Sequence, residues 1–138
     1  MITTSRNTTT LIAGAAVALL LLSGCAAGQT KAQACEILKS GLETVSTDLG
    51  EASGLLVSDP EAASTGIASA ADAYAATIAT ITNEEVAAPA TASSEAVSDF
   101  SDAVGALAAD FENGDPESLT APLDAVQTAF ADLQTACV

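Results

Sequence analysis

Cys35-Glu-Ile-Leu-Lys-Ser-Gly-Leu-Glu-Thr-Val-Ser-Thr-Asp-Leu49 is the stretch whose reading decides the fold. Its apolar positions Cys35, Leu38, Leu42, Val45 and Leu49 recur in alternating steps of three and four, and the row continues through Ala52 and Leu56. That is the 3.5-residue period of a helix laying one stripe against its neighbours at a shallow crossing angle. A strand would instead alternate every second residue.

The same spacing returns three times downstream. One row is Ile67, Ala71, Tyr74, Ile78 and Ile81. The next is Val86, Ala90, Ser93, Val97, Phe100, Val104, Leu107 and Phe111. The last is Leu119, Leu123, Val126, Phe130, Leu133 and Cys137. All four aromatic residues fall on these rows, which marks them as core rather than as part of a cofactor site. Ser93 is the polar interruption, and its hydroxyl could bond back to the Pro89 carbonyl.

Turn chemistry separates the rows. Asp59-Pro60 and Asp115-Pro116 each pair a capping carboxylate with a proline suited to the first helical position. Asn113-Gly114 can end a helix in the left-handed conformation, and Thr82-Asn-Glu-Glu85 has the spacing of a capping box. Short connections between helices force consecutive ones to run antiparallel. The expected fold is all-α: an antiparallel up-down-up-down four-helix bundle closed by an N-to-C-terminal disulfide between Cys35 and Cys137. Those two cysteines end their own rows at what would be one end of such a bundle. Glycines inside the rows at 41, 50, 54, 66 and 105 argue against long unbroken helices, and helix 1 is expected to break near Gly50 or Gly54. Pro89 either kinks helix 3 or delays its start, and Pro122 raises the same question for helix 4.

Composition agrees with a thin helical core. Of 138 residues 49% are apolar, many of them alanine, the best helix former and a poor contributor of buried area. Three basic residues face eighteen acidic ones, a net charge of −15. No acidic residue precedes Cys25, whereas Arg6 does, so residues 25–138 hold only Lys31 and Lys39 against all eighteen carboxylates, a side-chain charge of −16. Such a surface repels phosphate backbones, which excludes nucleic acid as a partner.

The first 24 residues read as a cleaved signal segment. Arg6 precedes a twelve-residue apolar run, Leu11–Leu22, too short for the roughly 20 residues that a spanning helix needs. The run leads directly into Leu22-Ser23-Gly24-Cys25. This tetrapeptide resembles the lipobox of bacterial lipoproteins, the substrate of lipoprotein diacylglyceryl transferase and signal peptidase II. The resemblance implies cleavage before Cys25 and a diacylglyceryl thioether on its sulfur. The chain then divides into a signal peptide (1–24), a lipidated tether (25–31) and a helical domain (32–138). It is expected on the extracytoplasmic face of the cell membrane, held there by the lipid on Cys25. Export places Cys35 and Cys137 in an oxidising compartment, a second reason to pair them. The whole is similar in style to small cysteine-bracketed helical lipoproteins of unassigned function from high-GC Gram-positive bacteria.

Chemistry is hard to find in this sequence. It contains no histidine, the commonest zinc ligand and general base. No serine or threonine has a base positioned on its row, and Lys39 lies off the row of helix 1. The pairs Asp99/Asp102 and Asp110/Glu112 fall outside the rows, as a solvated face would. Asp110-Phe-Glu-Asn-Gly-Asp-Pro-Glu117 is rich in oxygen ligands but departs from the calcium-loop spacing. No catalytic residue, metal or cofactor is expected. The expected function is non-enzymatic: an interaction or scaffolding module with an envelope protein as its partner, Ile37 and Leu55 being the candidate contacts. The alternative is a small-ligand or cation-binding lipoprotein associated with a transporter.

Overall fold

The computed structural model describes residues 28–138. Among these residues there are four α-helices and no strand: α1 (Lys31–Ser53), α2 (Pro60–Ile78), α3 (Glu84–Ala109) and α4 (Thr120–Ala136). The signal segment and Cys25 lie outside the described residues.

Local chemistry sets each helix boundary. The start of α1 is a complete capping box: Gln33 N donates to Thr30 Oγ1 at 3.2 Å and Thr30 N donates to Gln33 Oε1 at 3.0 Å. The helix runs through Gly50 and ends at Gly54, the later of the two expected break points. Asp59 caps α2 by accepting from Ala62 N at 3.0 Å, with Pro60 at the first position. For α3 the cap is Asn83, accepting from Glu85 N at 3.2 Å, one residue later than the expected Thr82. The amide of Asn83 accounts for the shift, since it serves the orphan donor of the first turn directly.

Proline placement settles two open questions. Pro89 sits inside α3, which begins at Glu84, so it does not delay the helix. Asp115 caps a short 3-10 turn, Pro116–Leu119, and α4 follows from Thr120. Pro122 then falls in the first turn of α4, where its missing N–H has no helical partner to lose. Gly114 does not adopt the expected left-handed backbone. It is needed for space: a Cβ there would lie 2.5 Å from Leu107 Cδ1 and 2.7 Å from the Asp110 carbonyl oxygen.

Each helix packs on the next in sequence, and α1 also touches α3. The α1–α2 contact is close because glycine allows it. A Cβ on Gly66 would sit 2.9 Å from the Ala52 methyl, and one on Gly41 would sit 3.0 Å from Thr77 Cγ2. These glycines are contact points as well as weak helix formers. The larger part of the core gathers Leu38, Val45, Tyr74, Val86, Val97 and Leu133; a smaller part gathers Ile67 and Val104 with Ala52. Alanines 34, 63 and 90 are fully enclosed, so close packing of small side chains substitutes for bulk.

The rows over-assign the core in places. Leu42, Phe100, Leu107 and Phe130 are half-buried rather than enclosed, and Phe111 and Leu123 are exposed by 49% and 44%. Phe111 leaves the interior because α3 ends at Ala109, two residues before it. Of the two off-row residues, Ile37 packs against the larger core and Leu55 is exposed.

Candidate functional site

The start of α1, the α2–α3 loop and the chain end meet in one place, and Gln29 is the residue that ties them. Its side-chain oxygen accepts from the backbone N–H of Thr82 at 2.8 Å and of Asn83 at 3.3 Å. Its side-chain nitrogen donates to the Thr80 carbonyl at 3.3 Å. Asn83 Nδ2 returns a bond to the Gln29 carbonyl at 3.1 Å. Four hydrogen bonds thus hold a residue that the sequence places in a tether, so the fixed body begins before residue 32. Reading Thr30-x-x-Gln33 as a capping box would have moved the helix start forward; nothing in the sequence signals the partners of Gln29.

Beside this clasp, Cys35 and Cys137 form a disulfide with their Cα atoms 5.7 Å apart, joining the first turns of α1 to the residue after α4. Lys31 Nζ donates to the Val138 carbonyl at 3.3 Å across the same junction. Three separate links therefore fix this region: an amide clasp, a covalent bond and a lysine contact.

The reactive groups of the body are spoken for or apart. Tyr74 and Ser93 are both buried and bond each other at 2.8 Å, and Ser93 Oγ donates to the Ala90 carbonyl at 2.7 Å rather than to that of Pro89. The three-residue step suits the hydroxyl because it then also meets Tyr74. Burial pushes the Tyr74 hydroxyl above the usual tyrosine range, while the Ser93 hydroxyl, able to turn and donate to a phenolate, works the other way. The hydrogen-bond partners of the two hydroxyls are each other and the Ala90 carbonyl, none of them a base. Asp99, Asp102, Asp110 and Glu112 are all exposed, and Asp110 accepts from Asn113 Nδ2 at 2.9 Å. Among the described residues no three metal-ligating side chains come together. Also among them, no helix is long and apolar enough to cross a membrane.

Surface depressions are open clefts. One of about 260 Å³ lies between α1 and α2 over Gly41 and Tyr74, and one of about 270 Å³ lies between α1 and α4. The second is the more apolar, floored by Leu38, Leu42 and Leu133 with Lys39, Glu43 and Gln134 at its edges. No family model, curated protein or solved structure matches the chain.

Proposed function

We propose that the chain is a lipid-anchored interaction or scaffolding module on the extracytoplasmic face of the cell membrane, cleaved before Cys25 and without enzymatic activity. The observation that carries the reading is the Gln29 clasp. Only residues 26–28 separate it from Cys25. At about 3.5 Å per extended residue, the lipid and the fixed body are at most about 14 Å apart. The amide clasp, the disulfide and the lysine contact make the anchor-side end part of the fixed body, so the stalk between body and lipid is short.

The same proposal takes the helices as an antiparallel up-down-up-down bundle. Its support is the disulfide between the start of α1 and the residue after α4, together with connections of five to ten residues. A carrier of a small ligand draws support only from the α1–α4 cleft. That cleft is open, whereas ligand sites enclose most of their ligand's surface.

The anchor is tested by metabolic labelling with a fatty-acid analogue, which should tag the wild-type protein and leave Cys25→Ala unlabelled. Equal labelling of both would remove the lipid from the proposal. Affinity capture of the protein from its own envelope then identifies the partner.

A further inference from the structure

Two connections meet at the end of the body far from the disulfide. Leu56, after α1, and Leu119, before α4, pack against the same small cluster of Ala52, Ile67 and Val104. The 23 residues of α1 rise about 1.5 Å each, so this tip lies about 34 Å from the clasp at the helix start. Five large apolar side chains are exposed among the described residues, and three of them stand here: Leu55 at 43%, Val57 at 90% and Phe111 at 49%. Single exposed residues need no account, but three at one tip do. Backbone hydrogen bonds set both turns. Ser58 N and Asp59 N donate to the Leu55 carbonyl at 3.0 and 2.7 Å, and Asn113 N and Gly114 N donate to that of Asp110 at 3.2 and 2.6 Å. The turns are formed before a partner arrives, which lowers the ordering cost of binding.

Charge says what kind of partner fits. Residues 54–61 and 110–119 carry Asp59, Glu61, Asp110, Glu112, Asp115 and Glu117, all exposed, and no cation. Phe111 stands between two of these carboxylates in sequence. Lys31 and Lys39, the two lysines after Cys25, both lie in the first three turns of α1, at the other end. Six carboxylates repel nucleic acid, an anionic membrane and the same tip of a second copy. A metal ion would leave the three apolar side chains without a contact, and among the described residues no three metal-ligating side chains converge. A protein segment with lysine or arginine beside apolar side chains meets both the charge and the apolar surface.

We propose that the tip formed by residues 54–61 and 110–119 is the docking surface of the module, and that its occupant is a basic, apolar-bearing segment of another envelope protein. Val57 and Phe111 make the apolar contact, and the carboxylates steer the segment and fix its register. This deepens the interaction-module reading and rests on it, but it does not depend on the lipid.

The test incorporates the photocrosslinking residue p-benzoylphenylalanine into the full chain in its own cells, at Val57 or at Phe111, and for comparison at Ala92 on the exposed side of α3. Illumination should link both tip positions, and not Ala92, to one protein, on a stretch with more lysine and arginine than aspartate and glutamate. Glu61→Gln/Glu112→Gln/Glu117→Gln, all at exposed positions, should cut the yield about tenfold while leaving the helical circular dichroism unchanged. Glu36→Gln/Glu84→Gln/Asp132→Asn removes as many exposed charges at the disulfide end and should leave the yield unchanged. With the crosslinker at Val57, Phe111→Ser should also lower the yield. Links to an acidic or neutral stretch, or to a second copy of this chain, overturn the proposal. So do equal losses from the two triple variants, or a yield indifferent to Phe111→Ser. Links from Ala92 alone overturn the tip and leave the interaction module standing, whereas no link from any position counts against both.

Discussion

Replacing Tyr74 by Phe, Ser93 by Ala, and both together probes the buried contact between two hydroxyls in the core. Ser93 has a single hydroxyl proton, and it goes to the Ala90 carbonyl, an oxygen that can only accept. The 2.8 Å contact between the two hydroxyls therefore runs from Tyr74 as donor to Ser93 as acceptor. Both residues are sealed from solvent, Tyr74 at 2% exposure and Ser93 at 0%. Ser93→Ala strands the Tyr74 donor and should cost about 1–3 kcal/mol, the desolvation penalty of an unpaired buried group. Tyr74→Phe removes the donor but leaves the Ser93 proton satisfied, so it should cost less, about 1 kcal/mol. With both hydroxyls gone no polar atom is left unpaired. The double variant should then fall short of the sum of the singles by at least about 1 kcal/mol. Urea melts followed by far-ultraviolet circular dichroism, with the disulfide intact, give all three values. Additive single effects, or a double variant worse than their sum, would refute the assigned contact.

Four further outcomes are expected. Because burial raises the Tyr74 hydroxyl, its contribution is fully present below pH about 10, the ordinary tyrosine value, and is lost as pH rises through the higher folded value. Tyr74→Phe should flatten that alkaline loss; with one tyrosine and no tryptophan in the chain, tyrosinate difference absorbance reads Tyr74 alone. Leu133→Ala, at a site 1% exposed, should cost about 2–5 kcal/mol in denaturant melts. Asp99→Asn, on the exposed side of α3, should change stability by about 0.5 kcal/mol or less. Removing both cysteines as Cys35→Ser/Cys137→Ser opens a loop spanning 102 residues of sequence and should cost about 4–5 kcal/mol on the chain-entropy estimate. Equal urea midpoints for the disulfide-free and native proteins would contradict it.

Much of the candidate site was legible for a local reason. Cys35 and Cys137 close their rows, and a row that ends at one level of a helical assembly can meet only what else ends there. The Asp59-Pro60 cap acts within a few residues, so composition alone locates it. Gln29 was not legible, because its partners Thr80, Thr82 and Asn83 lie more than fifty residues away and are mostly backbone groups. Backbone donors carry no sequence signature.

Spacing and turn chemistry determined that residues 28–138 make four α-helices, where each begins to within a few residues, and which cysteines join. These depend on periodicity and on hydrogen bonds that close inside one turn. How completely each row is covered was decided only by tertiary packing. A row says which way a helix faces, not how many neighbours stand in front of it. Gly41 and Gly66 bring α1 and α2 together closely enough to enclose Val45 and Tyr74, and α2 and α3 enclose Ser93 and Val97. The Cα atoms of α1 and α4 come nowhere within 8 Å of each other, a looser approach than between consecutive helices, and Leu42, Phe130 and Leu123, though on the same heptad rows, keep part of their surface in water.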